Sequence, residues 1–303
     1  MTPSLSDRFR GCLLGLAVAD ALGGRFEAQS ADGIRARFPT PAALVAYPTD
    51  EIWYTDDTQM AIGVAEALLA RGEIVELELV RAFVANYVPS RGYGRGARVV
   101  LEAMEDGGDY AAVAERHFPG GSYGNGAAMR VAPVGLFFHA DHARLWEQAR
   151  LQSLPTHRNP LGIEGAQLLA LAVALAIGPF NREAFFARLI GACASGEFRQ
   201  KMEQAANVRS VDDLAELGNA ITALESVPTA IASFALTPES YAETIGNVIL
   251  LGGDTDTLAA MAGAVSGAHV GIAGLPARLV RLLESSPKGR EYLFALADGL
   301  SER

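Results

Sequence analysis

Apolar residues recur every three or four positions along most of the chain, which is the spacing of one face of an α-helix. Alanine, leucine and glutamate dominate these stretches, and all three favour helices. The spacing predicts helices over residues 57–70, 75–87, 96–104, 161–177, 182–193, 211–224, 241–250 and 257–270. A parallel sheet would need several β-branched runs, and the best strand candidate is the short segment 135–139. The pattern therefore predicts an all-α fold.

Glycine and proline mark the joints between these helices. Glycine-rich loops are expected at residues 91–96 and 119–126, and Pro228 and Pro238 are expected to break the later helices. A length of 303 residues permits two domains, but no low-complexity linker, charge run or repeat divides the chain. The sequence predicts one compact, many-helix domain over residues 1–303.

Charge and cysteine usage narrow the class of function. With 25 basic and 35 acidic residues the net charge is −10, which disfavours broad attraction to nucleic acid or to anionic lipid. Cys12 and Cys193 give neither a disulfide framework nor a zinc-site spacing. The longest apolar run, residues 168–177, is about half the length of a membrane span. We expect a cytoplasmic protein without nucleic-acid or membrane partners, and the sequence leaves its oligomeric state open.

Two acidic clusters lie far apart in the chain. The first acidic cluster is residues 55–58 and the second is residues 252–257, and each opens a predicted helix. Either one alone is typical of a helix N-cap. Together they supply four carboxylates that repel one another unless cations or protons neutralise them, and oxygen ligands select hard cations such as magnesium or manganese. If the clusters meet, a shared carboxylate could bridge two ions.

Three further features carry less information by themselves. The glycine loop, residues 120–126, could turn its amides toward a phosphate, although most such loops are simple turns and this one lacks the lysine of a Walker loop. Phe118, directly before it, could stack on a base or cover the core. Taken singly, His157 and Glu27 are typical of ordinary surface residues.

Taken together and in chain order, the short motifs of this sequence resemble those of the ADP-ribosylglycohydrolases. This is the family of dinitrogenase-reductase-activating glycohydrolase and the vertebrate ADP-ribosylhydrolases. The matching segments are residues 9–12, 20–23, 27–28, 55–58, 121–126, 128–130, 156–157 and 251–257. Residues 217–219 and 225–231 are similar to the branch that removes ADP-ribose from serine and degrades poly(ADP-ribose).

This resemblance implies an all-α fold with a central binuclear metal site that holds two magnesium ions, with manganese as the alternative. The metal ligands it implies are Thr55, Asp56, Asp57, Asp254, Asp256 and Thr257, with Asp256 as the bridge. It also implies that Glu27 is a movable catalytic glutamate. The residues that would hold the diphosphate and ribose of ADP-ribose are Gly121, Ser122, Tyr123, Gly124, Asn125 and His157.

The implied activity is hydrolysis of the bond between C1″ of ADP-ribose and an oxygen acceptor, with release of ADP-ribose. The acceptor could be a protein serine, an ADP-ribose chain or an acetyl group. Gln29 and Ala127 stand where the family pattern has histidine and glycine, and these departures concern acceptor preference more than chemistry. The alternatives are an ADP-ribosyl-arginine hydrolase, a non-catalytic ADP-ribose-binding or structural protein and, third, a phosphohydrolase of another fold.

Overall fold

Helices dominate the computed structural model, which describes residues 2–303. Within that range, β-type pairing is limited to isolated bridges, so the predicted all-α class is confirmed. Two short 3₁₀ turns are at Pro89–Arg91 and Ile272–Gly274. The α-helices, in chain order, are α1 (Leu5–Gly23), α2 (Ala31–Arg37), α3 (Pro41–Ala46), α4 (Asp56–Arg71), α5 (Glu76–Asn86), α6 (Arg95–Glu105), α7 (Tyr110–His117), α8 (Ala132–Phe137), α9 (His142–Ser153), α10 (Pro160–Ala176), α11 (Arg182–Ala192), α12 (Gly196–Asn207), α13 (Val211–Ala215), α14 (Ala223–Leu236), α15 (Tyr241–Ile249), α16 (Thr255–Val270), α17 (Ala277–Leu282) and α18 (Arg290–Ser301).

Three predicted features are wrong. The expected helix over residues 211–224 is split, because Gly218 adopts a left-handed φ of 103° between α13 and α14. The strand candidate at residues 135–139 falls mostly in the short helix α8. Pro228 lies inside α14 rather than breaking it, since the helix is buried on several sides and packing outweighs the lost backbone bond. Pro238, by contrast, does follow the end of α14.

The antiparallel pair α1 and α16 forms the centre of the fold. Nearly every residue of both helices is buried, so neither helix has a polar face. Glycines let the two backbones approach: a methyl group added at Gly15 would lie 2.6 Å from the carbonyl oxygen of Gly263. Where α1 ends, the hydroxyl of Thr255 donates to the carbonyl of Gly23 at 2.9 Å. This contact fixes the start of α16 beside the end of α1.

The other helices surround this pair. One cluster of buried apolar residues includes side chains from Phe9 near the beginning of the chain to Leu300 near its end. Within residues 2–303, no helix combines the length and apolar character needed to cross a membrane.

Candidate active site

Helix ends bring the two acidic clusters together. The first acidic cluster opens α4, and the second opens α16 next to the end of α1. Asp56, Asp57, Asp254 and Asp256 line a single cleft with a volume of about 280 Å³. Thr257 and Glu27 line the same cleft, whereas Thr55 lines an adjoining hollow that also contains Glu27. The structure therefore places the six expected ligands and the expected catalytic glutamate around one site.

Asp20, on α1, holds the first acidic cluster in place. Its carboxylate is fully buried and accepts hydrogen bonds from the backbone N–H of Thr55 at 3.0 Å and from the Thr55 hydroxyl at 2.7 Å. The N–H of Thr58 donates to it at 3.0 Å, and the Thr58 hydroxyl donates as well. Sequence reasoning assigned Asp20 no role, although a charged residue at the end of an apolar run was a usable signal.

Two glycines shape the second acidic cluster. Gly252 and Gly253 have left-handed φ values of 69° and 78°, which favour glycine. The backbone N–H of Asp254 donates to the carbonyl of Asn219 at 3.1 Å, and the Asn219 amide donates to the carbonyl of Leu251 at 2.9 Å. Asn219 thus supports the turn that aims Asp254 into the cleft, a function that sequence reasoning missed.

The loop that carries Glu27 is hydrogen-bonded to this same turn. The N–H of Ala28 donates to the carbonyl of Gly253 at 2.9 Å, and the N–H of Gly253 donates to the carbonyl of Gln29 at 3.1 Å. Ala28 has a φ of 61°, which is uncommon for a residue with a side chain. The Glu27 side chain is exposed at the edge of the cleft. Partial burial, reinforced by the charge of Asp256, raises the pKa of Glu27 above its usual value.

The clustered carboxyl groups disfavour one another's ionisation. Burial, followed by the charges of Asp20 and Asp256, raises the pKa of Asp56 and Asp57 well above the ordinary range. Burial is also the main reason that the pKa of Asp20 and of Asp254 rises to about 7. A site with this much uncompensated acidity is suited to a bound cation.

The donor set has the chemistry of a magnesium site. All the side chains concerned offer oxygen, and Oδ1 of Asp57 is buried without a hydrogen-bond partner among residues 2–303. An orphaned buried oxygen is costly unless something binds it. Within the same residues, no group of three or more His, Cys, Asp or Glu side chains has an arrangement that could hold a metal ion as it stands. The chemistry of the residues nevertheless fits a hard cation.

The glycine loop forms the opposite wall of the cleft. Ser122, Gly124 and Asn125 line it, and the Asn125 amide donates to Oδ2 of Asp254 at 2.6 Å, so the loop contacts the second acidic cluster directly. Gly121 and Tyr123 are not among the lining residues. Gly121 packs against the backbone of residues 158–159, and the Tyr123 side chain is 58% exposed. Only part of the predicted loop therefore faces the site.

His157 lies beneath the glycine loop and lines the cleft, so it is not the ordinary surface residue that its position alone suggests. Its Nδ1 is 2.8 Å from the hydroxyl oxygen of Thr156, which accepts a hydrogen bond from Arg130 at 2.8 Å. Burial and the positive charge of Arg130 lower the pKa of His157 to about 3, so the ring is neutral at physiological pH. Phe118 also lines the cleft, where it could contact a ligand.

The chain is similar to several known proteins over most of its length. ADP-ribosylhydrolase ARH3 from Homo sapiens is 34% identical over 317 aligned positions, covering 89% of this chain and 87% of that protein. The ARH3 protein of Gallus gallus is 37% identical over 321 positions, with coverage of 89% and 87%. A solved structure described as an ADP-ribosylglycohydrolase-related protein complex has a TM-score of 0.74 and 26% identity, and the match covers 98% of each chain.

The profile of the ADP-ribosylglycohydrolase family matches residues 1–303. The motif resemblance, the all-α fold and the relatives above point to the same family. The chain belongs to the ADP-ribosylglycohydrolase family of hydrolases.

Proposed function

We propose that this protein is a magnesium-dependent hydrolase that cleaves the bond between C1″ of ADP-ribose and an oxygen acceptor, releasing ADP-ribose. The observation that carries the proposal is the convergence of both acidic clusters, Glu27 and the glycine loop on one cleft. A structural role would not need so many buried carboxyl groups, because each one costs stability when it is left uncompensated. The names of the ARH3 relatives support ADP-ribosyl hydrolysis as the reaction.

Two magnesium ions would be held by the six oxygen-bearing residues of the acidic clusters, with manganese as the alternative. After burial, the charge of Asp256 is a further cause that raises the pKa of Asp56, Asp57 and Asp254, so its carboxylate lies near both acidic clusters, which suits it to a bridging role. When bound, such ions supply Lewis-acid stabilisation of charge at the scissile centre. The residues concerned are Thr55, Asp56, Asp57, Asp254, Asp256 and Thr257.

The chain itself would bind and orient the nucleotide. Ser122, Asn125 and His157 present hydrogen-bonding side chains along the wall of the cleft, which suits the diphosphate and the adjoining ribose. Gly124 and Gly126, on either side of Asn125, leave room for the His157 ring to lie against the loop. Fixing the ribose against the acidic clusters would align C1″ with Glu27.

Glu27 would handle the proton of the attacking water or of the leaving oxygen. Its place at the edge of the cleft gives it access to both solvent and substrate. A carboxyl group with a raised pKa exchanges protons more readily near neutral pH than an ordinary glutamate does.

The substrates would be ADP-ribosyl-serine in proteins, poly(ADP-ribose) or O-acetyl-ADP-ribose. The alternative within the family is an ADP-ribosyl-arginine hydrolase. The alternative without catalytic activity is an ADP-ribose-binding protein.

The decisive experiment incubates the protein and magnesium with serine-linked and arginine-linked ADP-ribosyl peptides, poly(ADP-ribose) and O-acetyl-ADP-ribose, and measures free ADP-ribose by mass spectrometry. We expect release from at least one oxygen-linked substrate. Release from the arginine-linked peptide alone would replace the proposal with its alternative. No release, together with retained binding of ADP-ribose, would indicate a binding protein.

Two substitutions test the assigned residues. Asp256→Asn should abolish release while circular dichroism shows an intact fold, and Glu27→Gln should lower kcat at least about tenfold with a smaller change in KM. Asp32→Asn, at an exposed position in α2, is the matched control and should keep the wild-type rate. Wild-type turnover by the Asp256 variant would contradict the assignment of the acidic clusters.

A further inference from the structure

Arg130 is a buried cation without an acidic partner. Its side chain is 1% exposed, and none of the ion pairs among residues 2–303 includes its guanidinium. The guanidinium instead donates to the side chain and the backbone carbonyl of Gln152, at 2.9 and 2.8 Å, and to the hydroxyl of Thr156. It also lies over the ring of Phe83, 4.6 Å from the centroid. Burying an arginine on neutral acceptors is costly, so its position calls for a role.

The hydrogen bond from Arg130 to Thr156 bears on the direction of the hydrogen bond between Thr156 and His157. A guanidinium can only donate, so the oxygen of Thr156 must accept. The Thr156 hydroxyl has no other hydrogen-bond partner among residues 2–303, so the acceptor for its one hydrogen is Nδ1 of His157, 2.8 Å away. If the oxygen accepted from an Nδ1–H instead, the hydroxyl hydrogen would be buried without an acceptor. A neutral imidazole that accepts at Nδ1 carries its hydrogen on Nε2. The hydrogen-bond chain therefore assigns the tautomer of His157.

Nε2 of His157 lies against the glycine loop. A methyl group added at Gly126 would be 3.2 Å from Nε2, and one added at Gly124 would be 3.5 Å from it. The absence of side chains at these two glycines lets the ring reach the wall of the cleft, which all three residues line. Nε2 forms no hydrogen bond with the described part of the chain, residues 2–303, so its N–H is available to a ligand.

We propose that Arg130 is a positioning residue that acts through Thr156 to hold His157 as the Nε2–H tautomer, aimed at an anionic oxygen of the bound ligand. The identity of that ligand as the diphosphate of ADP-ribose rests on the proposed function. A cation at the head of a hydrogen-bond chain polarises each bond after it, so the N–H at the far end becomes a stronger donor. The ring itself stays neutral, because burial and Arg130 oppose its protonation.

The test removes the central hydroxyl and then restores it. Thr156→Val keeps the shape of the side chain but cannot relay a hydrogen bond, whereas Thr156→Ser can. In metal-free protein labelled with ¹⁵N-histidine, nitrogen shifts report the tautomer of each of the five histidines, and His157→Gln identifies the signal of interest. We expect the Nε2–H form in the wild type and the serine variant. The valine variant should lose this preference.

Ligand binding provides the second measurement. By calorimetry, ADP-ribose should bind about tenfold more weakly to Thr156→Val and within about twofold of wild type to Thr156→Ser, as expected for one charge-assisted hydrogen bond. In the hydrolysis assay the loss should fall on KM rather than kcat. Thr156→Ala serves as a second variant if the valine protein does not fold.

The outcomes separate the two proposals. An unchanged tautomer in the valine or alanine variant overturns the positioning role of Arg130, whatever the enzyme does. A wild-type protein that neither binds ADP-ribose nor releases it overturns the proposed function, and the tautomer measurement still decides the positioning role.

Discussion

Single side chains determine how the ends of the helices meet. Asp20 gathers two backbone N–H groups and two hydroxyls from the start of α4, and this fixes the direction of Asp56 and Asp57. Asp20 accepts hydrogen bonds from backbone N–H groups at the start of α4, as an N-cap residue does, although Asp20 itself belongs to α1. The geometry of the candidate site therefore depends on a carboxylate that does not line the cleft.

Replacing Asp20 should damage both stability and activity. Asp20→Ala leaves the donors of Thr55 and Thr58 buried without a partner, and we expect the free energy of unfolding to fall by about 3 kcal/mol. Urea denaturation measures this loss, and the release of ADP-ribose should fall with it. Asp32→Ala, on the exposed side of α2, is the control. Equal stability of the two variants would contradict the role assigned to Asp20.

Residue type alone singled out the four aspartates of the acidic clusters, because their density in two short segments is unusual, whereas Glu27 was singled out only by the family resemblance. It did not identify Asp20, Asn219 or Arg130, since their partners are distant in the chain. Asp20 bonds to a residue 35 positions away, and Arg130 bonds to one 26 positions away. No local pattern records such a pairing, so only the folded structure shows it.

At the scale of elements, hydrophobic periodicity located many of the helices but not all of them. It located α4, α5, α10 and α16 to within a few residues. It missed α1, although α1 and α16 are buried to a similar extent, so burial alone does not explain the difference. It also extended α13 through the turn at Gly218 to residue 224 and so missed most of α14, because periodicity does not register a change of direction at one glycine.

The crossing of α1 and α16 depends on glycine. Gly15→Ala places a methyl group against the carbonyl of Gly263, and neither backbone can move without disturbing the core, so we expect a loss of about 2 kcal/mol in the free energy of unfolding. Gly191→Ala is the matched control, since its methyl group meets nothing within 4 Å near the end of α11. That variant should be about 0.5 kcal/mol more stable than the wild type. A similar effect of both substitutions in urea denaturation would contradict close packing at the crossing.

At the scale of the whole molecule, part of the net charge of −10 has a local explanation. Carboxyl groups from the starts of α4 and α16 and from the loop that carries Glu27 share one cleft, and their mutual repulsion opposes folding whenever they are ionised. The negative net charge disfavours binding of nucleic acid to the surface as a whole. It is compatible with binding of a nucleotide in this cleft, provided that cations neutralise the acidic clusters.

This repulsion gives the metal-free protein an unusual dependence on pH. The folded pKa values of Asp20 and Asp254, about 7, exceed the ordinary value of 3.8, so the folded state holds protons that the unfolded state has lost. The contribution of these two protonated groups to the free energy of unfolding is complete below about pH 4 and is lost as the pH rises toward 7. We expect the Tm of chelator-treated protein to fall between pH 5 and pH 8. Magnesium should raise the Tm at pH 8 by binding only the folded state.

The same scan of Asp254→Asn provides the control. This variant lacks one of the two titrating groups, so its Tm should change less between pH 5 and pH 8, and magnesium should stabilise it less. Sodium chloride at matched ionic strength separates specific binding from general screening. A wild-type Tm that rises steadily with pH in the absence of metal would refute this account of the acidic clusters.

The pairing of α1 with α16 also has a consequence for synthesis on the ribosome. The guanidinium of Arg8 donates to the carbonyl of Ala268 at 3.1 Å, a contact between residues 260 positions apart. A nascent chain therefore carries an apolar α1 without its main partner until α16, residues 255–270, has been translated. Exposed apolar helices of this kind are what chaperones bind, and a ribosome that stalls before α16 emerges would leave a chain with neither its core nor its cleft.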